Sequence, residues 1–255
     1  MRLLVYTPSY AGQLLGECRG SVLAQQYDGA WEWVVDEDDP FPAPDHRNVL
    51  AKYQRAQRMA IDLAFDALVT VEHDMVLPAD ALAKLAETRA PVVYGTYMLR
   101  HGSKVLNVWR YEGEKNLGQS LSIYPRELEL LKRAKVGRVS GTGWGCTLIR
   151  RSVLEMFTFH DGGGTNPAGD LAFSRECLRR GIKMAARFDV PCGHIDKGVL
   201  LQAYDEPDVL PCVAVQDFRG LVQGRSMAFR SGERYLLPDV AVREWVRAGY
   251  VRASA

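Results

Sequence analysis

The chain has no surplus of charge, no paired-cysteine motif and no long apolar run. Each absence removes a class of function. Lys and Arg number 32 against 31 Asp and Glu, a formal net charge of +1. No global field therefore draws the protein to nucleic acid or to an anionic membrane. The five cysteines are Cys18, Cys146, Cys177, Cys192 and Cys212, an odd number with no C-x-x-C spacing. That argues against a zinc cluster and a disulfide framework and suits a reducing, cytoplasmic setting. No apolar stretch approaches the roughly 18–20 residues of a membrane span. The opening "MRLLVYTPSY" is too short in apolar residues for a secretory signal. Peripheral membrane contact stays open on this reading. Repeats and low-complexity tracts are lacking too. Gly162-Gly163-Gly164 has no Gly-Lys-Ser/Thr continuation, so it is no P-loop. These glycines read as a mobile lid, in keeping with their backbone freedom.

What is present is an ordinary globular composition, 47% hydrophobic and 25% charged over 255 residues. A chain this long buries a core that needs no staples. Length alone implies one large domain, with or without a small appendage.

The first hundred residues alternate strand and helix. "RLLVYTPSY" is a continuous apolar run ended by Thr7-Pro8-Ser9, the pattern of a buried parallel strand. "LLGECRGSVLAQQY" has near-helical apolar spacing. "WEWVVDEDDP" is a strand ending in four acidic residues. "NVLAKYQRAQRMAIDLAF" reads as a long helix, "DALVTVEHDM" as a strand, "PADALAKLAET" as a short helix and "APVVYGTYML" as a strand. This rhythm predicts a parallel sheet with helices on both faces. Ligands of such sheets sit beyond the carboxyl ends of the strands. Thr7-Pro8-Ser9, Asp36 to Asp39 and Glu72 to Asp74 all fall at such ends, so three clusters distant in sequence are expected on one rim.

Beyond residue 100 the pattern loosens. "KVLNVWRYEG" reads as a strand and "PRELELLKRAK" as a helix. "GRVSGTGWGCTLIRRSVLEMF" combines a glycine-rich turn, one short strand and a helix start. "LAFSRECLRRG" is a helix ended by Gly181. "KMAARFDVPCGHID" is a last core strand with His194 beyond it. The expected organisation is a core over 1–196, a connecting segment over 197–224 without clear periodicity, and a ββα appendage over 225–255. That appendage has a hairpin around Ser231-Gly232 and a helix from Pro238 to about Ala248.

Glu72-x-Asp74 at a strand end can hold a divalent cation. Oxygen ligands suit Mg²⁺ or Mn²⁺, and these ions take further ligands from substrate phosphates. His194 adds a nitrogen and moves the preference toward Mn²⁺. An isolated acidic pair is more often solvated or a helix cap, and a lone histidine more often structural. A shared sheet edge is what makes the three a candidate metal site.

Several segments in order resemble a family 2-type glycosyltransferase of the GT-A fold. "VYTPSYAGQLLGECRGSVLAQQYDGAWEWVVDEDDP" resembles that family's opening, in which a strand ends in T-P-S-Y and a second strand ends in V-D-D. "LVTVEHDMVLPADAL" is similar to its metal strand, normally D-x-D. "VSGTGWGCTLIRRSVLE", "GDLAFSRECLRRGIKM" and "VPCGHID" resemble its later motifs, and the match runs over roughly residues 2 to 196. The resemblance implies a Rossmann-like α/β sheet and transfer of a sugar from a nucleoside-diphosphate donor to an acceptor hydroxyl. It places Glu72 and Asp74 in the D-x-D positions, facing metal, diphosphate or ribose, with glutamate a departure in the first. It places Asp36 or Asp38 at the base and ribose, with Thr7 and Pro8 lining the same pocket. Asp170 takes the place of the catalytic base, preceded by Gly169 where the family has a second acid. One base opposite the leaving group implies inversion.

Other residues carry two readings each. Gly143 and Trp144 are candidates for the acceptor or sugar, with a core tryptophan beside a tight turn as the alternative. Lys52, Arg55 and Arg58 recur at helical spacing. A solvated helix face is the plain reading, with Arg58 as the donor-phosphate candidate. Arg100-His101 follows a strand end and is a lesser donor-sugar candidate. Two rival functions remain: a sugar nucleotidyltransferase, whose glycine-rich lysine loop "TPSYAGQLLGECRG" lacks, and a non-catalytic carbohydrate-binding or assembly protein on the same fold.

Overall fold

The computed structural model describes residues 1–9, 12–42, 45, 47–99, 105–114, 117–162, 169–204, 209–222, 225–238, 242 and 245–253. Arg100-His101, Gly163 and Gly164 lie outside them, as does much of the expected tail helix. Of that helix, Val242 and residues 245–247 are described, and they are helical.

The first half follows the expected alternation: β1 (Leu3–Pro8), α1 (Gly16–Leu23), β2 (Trp31–Asp36), α2 (Arg47–Asp62), β3 (Ala67–Val71), β4 (Met75–Val76), α3 (Ala81–Glu87) and β5 (Val92–Thr96). Then come β6 (Val108–Tyr111), β7 (Leu117–Ser120), α4 (Pro125–Ala134), β8 (Val136–Thr142), β9 (Cys146–Arg150), α5 (Arg151–Leu154), α6 (Gly169–Arg179) and β10 (Met184–Pro191). A nine-stranded sheet runs β2-β1-β3-β9-β5-β10-β8-β6-β7.

Side-chain alternation along the strands builds two apolar layers. Leu4 and Tyr6 of β1 and Leu68 of β3 face one core, where Tyr53, Ala56 and Ala60 of α2 and Phe173 of α6 pack. Leu3 and Val5 of β1 and Val69 of β3 face the other, against Cys18 and Val22 of α1 and Leu82 and Leu85 of α3. β1 is buried along its whole length. Each large apolar side chain there contributes roughly 1.5–3 kcal/mol by burial.

The sheet is mixed rather than mostly parallel. β1 pairs parallel with β2 and β3, and β5 with β10, whereas β9 runs antiparallel between β3 and β5. β8, β6 and β7 extend the sheet in antiparallel fashion. The segment read as one short strand after a glycine turn holds two strands, β8 and β9. They are not sheet neighbours, because β5 and β10 lie between them. The three residues joining them are Gly143-Trp144-Gly145. α6 ends as expected at Gly181, whose φ of +68° is in glycine's range.

Past residue 192 come β11 (Gly193–Asp196), β12 (Val199–Leu201), β13 (Val209–Ala214), β14 (Phe218–Val222), β15 (Arg225–Phe229), β16 (Arg234–Pro238) and β17 (Val251–Ala253). The two strands expected to form a tail hairpin, β15 and β16, take other partners, β14 and β13 respectively. β13 and β14 thus belong with the tail, although Pro211, Asp217 and Gly220 hide their alternation in sequence. Cys212, Ala214, Phe229, Leu237, Val242 and Val251 form a separate small core there. No helix among the described residues is long and apolar enough to cross a membrane.

Candidate metal centre

Strand register brings the separate clusters to one edge. Pro8 pairs with Asp36, and Tyr6 with Thr70, two residues before Glu72. Val71 pairs with Cys146, which sets Gly143 to Gly145 at the same edge. Thr96 pairs with Pro191, so Tyr97 and His194 emerge there as well.

Glu72, Asp74 and His194 converge, each offering a ligand atom within 4.8 Å of the others. The backbone makes this cluster rigid. The Glu72 N–H donates to the Gly145 carbonyl at 3.1 Å, Met75 N–H to Glu72 O at 3.0 Å, and Ile195 N–H to Asp74 O at 2.9 Å. β4 and β11 pair with His194 opposite Met75. His194 Nδ1 lies 2.6 Å from the Met98 carbonyl oxygen, which can only accept. Nδ1 therefore carries the proton, and in the neutral ring Nε2 presents its lone pair. Nε2 is 3.5 Å from Asp74 Oδ2, with both side chains 4% exposed. Two carboxylates and an imidazole oriented by a backbone carbonyl fit a small divalent cation in donor type.

Asp170 stands at the start of α6, half-buried. Its Oδ1 accepts the Leu171 N–H at 2.8 Å. Burial pushes its carboxyl above the ordinary range, and the backbone N–H groups of Leu171 and Asp170 itself pull the other way. A Cβ at residue 143 would overlap the Tyr97 hydroxyl and lie 2.6 Å from Asn107 Nδ2 and 3.1 Å from Asp170 Oδ2. Tyr97 is thus the pillar between the two halves of the site. Its ring packs edge-on to His194 at 5.5 Å, and its oxygen accepts the Gly145 N–H at 3.2 Å. Nothing in the sequence around Tyr97 or Asn107 marks either residue.

The glycines of G-W-G are explained by this packing. The space over Gly143 is taken by Tyr97 and Asn107, the chain's own groups, not left open for an acceptor. Gly143→Ala is expected to destabilise the fold by about 1–3 kcal/mol, the usual cost of overpacking. Urea denaturation checks this, and wild-type stability would contradict it. Trp144 is a core residue, 3% exposed, with ring centroids 4.3 Å from Tyr53 and 5.1 Å from Phe159. Its face is covered by aromatics and offers no open platform to a sugar.

The acidic end of β2 is anchored from α2. Asp36 is buried and receives the Tyr6 hydroxyl, the Asp38 N–H and a two-pronged Arg55, with Arg55 Nε 2.9 Å from Oδ2. Asp38 is the open member, its side chain 80% exposed. Lys52 is fully buried rather than solvated. Its Nζ reaches Asp39 at 2.6 Å and the Ser9 carbonyl at 2.8 Å, tying the ends of β1 and β2 together. Thr7 is buried and its Oγ1 accepts the Trp33 indole N–H at 3.0 Å. Pro8 is buried beside it. Arg58 lies exposed on α2, outside this set of ion pairs.

No family model matches the chain. Large ribosomal subunit protein uL15 of Oleidesulfovibrio alaskensis is 34% identical over 89 residues, 32% of this chain, and the chain spans 56% of that protein's length. Among solved structures, A197 from STIV superposes with a TM-score of 0.51 and 20% identity, over 81% of this chain and 96% of that one. S. aureus TarS 1-349 in complex with UDP gives a TM-score of 0.45 and 13% identity over 74% and 58% of the two chains. The inositol-1-phosphate CTP transferase from T. maritima gives 0.37 and 14% over 77% and 89%. The likeness to A197 speaks to the fold alone, a large central sheet in a mixed α/β chain, and the two looser superpositions carry no argument.

Proposed function

We propose that the chain is a metal-dependent glycosyltransferase on a GT-A fold, taking sugar from a nucleoside-diphosphate donor to an acceptor hydroxyl with inversion. The observation that carries this reading is the convergence of Glu72, Asp74 and His194 on the sheet edge that also holds Asp170. Asp74 and His194, with Glu72, would hold Mn²⁺ or Mg²⁺, which supplies charge neutralisation for a leaving diphosphate. The ends of β1 and β2, with Thr7, Pro8 and the Asp36–Asp38 turn, form the wall against which the nucleotide lies. Asp36 shapes that wall through its bonds, and Asp38 is the carboxylate open to a ribose.

Asp170 acts as general base in this reading. The acceptor oxygen bonds to the anomeric carbon as the bond to the diphosphate oxygen breaks, and the acceptor proton passes to the Asp170 carboxylate. The partly desolvated carboxylate is the stronger base for its burial. The products are the glycoside and a nucleoside diphosphate.

The test is a donor screen with UDP-, GDP- and dTDP-sugars, with Mn²⁺ or with EDTA. Release of nucleoside diphosphate only with metal is the expected result. Release of pyrophosphate from a nucleoside triphosphate and a sugar phosphate would point instead to a nucleotidyltransferase. Binding without turnover would point to a non-catalytic carbohydrate-binding protein.

We also propose that the tail is separable. Its boundary lies near residue 205, because β13 and β14 pair with β15 and β16 and the small core draws only on residues 212–251. A chain ending at residue 208 is expected to unfold cooperatively and to bind the same nucleotide. An insoluble or molten product would show that the tail completes the main core.

A further inference from the structure

We infer that the Tyr53 hydroxyl is a recognition group that donates a hydrogen bond to a hydroxyl of the transferred sugar. This rests on the glycosyltransferase reading above and extends it to a residue of α2. Tyr53 is 0% exposed, and its hydroxyl has no hydrogen-bond partner among the described residues. Buried hydroxyls are as a rule hydrogen-bonded, so the partner of this one lies outside the protein groups around it, in a water or a ligand that displaces it. The indole N–H of Trp144 is likewise buried without a partner, and the two rings touch, with centroids 4.3 Å apart. Two donors on one ring pair ask for an oxygen-bearing ligand.

The position of the pair says which kind. Trp144 lies between the glycines whose backbone holds Glu72 and abuts Asp170, and a Cβ at residue 169 would sit 2.9 Å from its ring. Tyr53 thus lies beside the stretch of chain that links the metal cluster to the base. Burial above all, with the charges of Glu72, Asp170 and Asp74 behind it, raises the phenol well above its ordinary range, so it remains a donor. Carboxylates repel a phosphate that has no cation between, whereas a neutral hydroxyl suits this ground. It accepts from Tyr53 and donates to a carboxylate. Phenylalanine fills the same volume in the apolar layer, so the oxygen alone is at issue.

The experiment is Tyr53→Phe, read by calorimetric melting of the free protein and by titration calorimetry with Mn²⁺ present. The titrants are UDP-glucose, GDP-mannose and dTDP-glucose, each against its bare nucleoside diphosphate. The free variant is expected to melt at or above wild type, by up to about 2–4 °C, since a buried hydroxyl without a protein partner is removed. Its affinity for the preferred sugar nucleotide is expected to fall about tenfold, with bare nucleotide unchanged. A lower melting temperature with unchanged affinities would overturn the inference and make the hydroxyl structural. Equal losses for sugar nucleotide and bare nucleotide would overturn its assignment to the sugar. A wild-type protein that binds none of the titrants would overturn the donor reading itself, and this inference with it.

Discussion

Asp170→Asn is expected to cut sugar transfer by roughly 10²–10⁴-fold, the usual worth of a general base, while leaving donor affinity near wild type. Asparagine keeps the oxygen that accepts the Leu171 N–H, so the start of α6 is preserved. Stability should not fall either. The Asp170 carboxyl is raised in the folded chain, so its contribution is fully present below the unfolded value and is lost as pH rises through the folded one. Once ionised, the buried carboxylate carries a desolvation cost in the folded chain, and a neutral isostere removes that cost. The same shift sets the pH dependence. The base must be ionised, so kcat/KM for wild type should rise with pH through a limb above the ordinary aspartate range, and the variant should lose that limb. Near-normal kcat in Asp170→Asn would require another base, with Asp161 the next candidate. Loss of donor binding would reassign Asp170 to the donor pocket.

Asp74→Ala is expected to abolish Mn²⁺-dependent nucleotide binding and turnover together. Asp74 is buried and its carboxylate faces His194 Nε2. The loss should exceed the roughly 10–100-fold that removal of an outer-shell partner of a metal costs. Thermal shift with a nucleoside diphosphate, with and without Mn²⁺, reads it directly, because tight binding raises the melting temperature by mass action. A variant that binds donor diphosphate as tightly as wild type with the same metal dependence would remove Asp74 from the centre.

Much of this site could be read along the chain because it depends on strand ends. Apolar runs at Leu3 to Tyr6 and Ala67 to Val71 announce buried strands, and the polar residues after them fall on one rim whatever the sheet's inner order. Glu72, Asp74 and His194, 122 residues apart at the extremes, come together on that argument. The inner order was not legible. The insertion of β9 between β3 and β5 depends on which strands pair, and each strand's own pattern is silent on that. Residues whose role is set by a neighbour distant in sequence were equally hidden. Lys52 looks like any helix-surface lysine until Asp39 and the Ser9 carbonyl enclose it. Trp144 between two glycines reads equally as an exposed ring or a core residue until Tyr53, Phe159 and Phe173 surround it. Tyr97 carries no local mark, yet it explains both glycines beside Trp144.

The central claim is that Glu72, Asp74 and His194 hold the cation that receives a nucleoside diphosphate. A crystal grown with Mn²⁺ and UDP, with diffraction recorded at the manganese absorption edge, tests it most directly. The account predicts one anomalous peak about 2.0–2.3 Å from an Asp74 carboxylate oxygen and from His194 Nε2, with the diphosphate completing the coordination. Manganese bound elsewhere, or nucleotide bound at this edge with no ion between Asp74 and the phosphates, would contradict it.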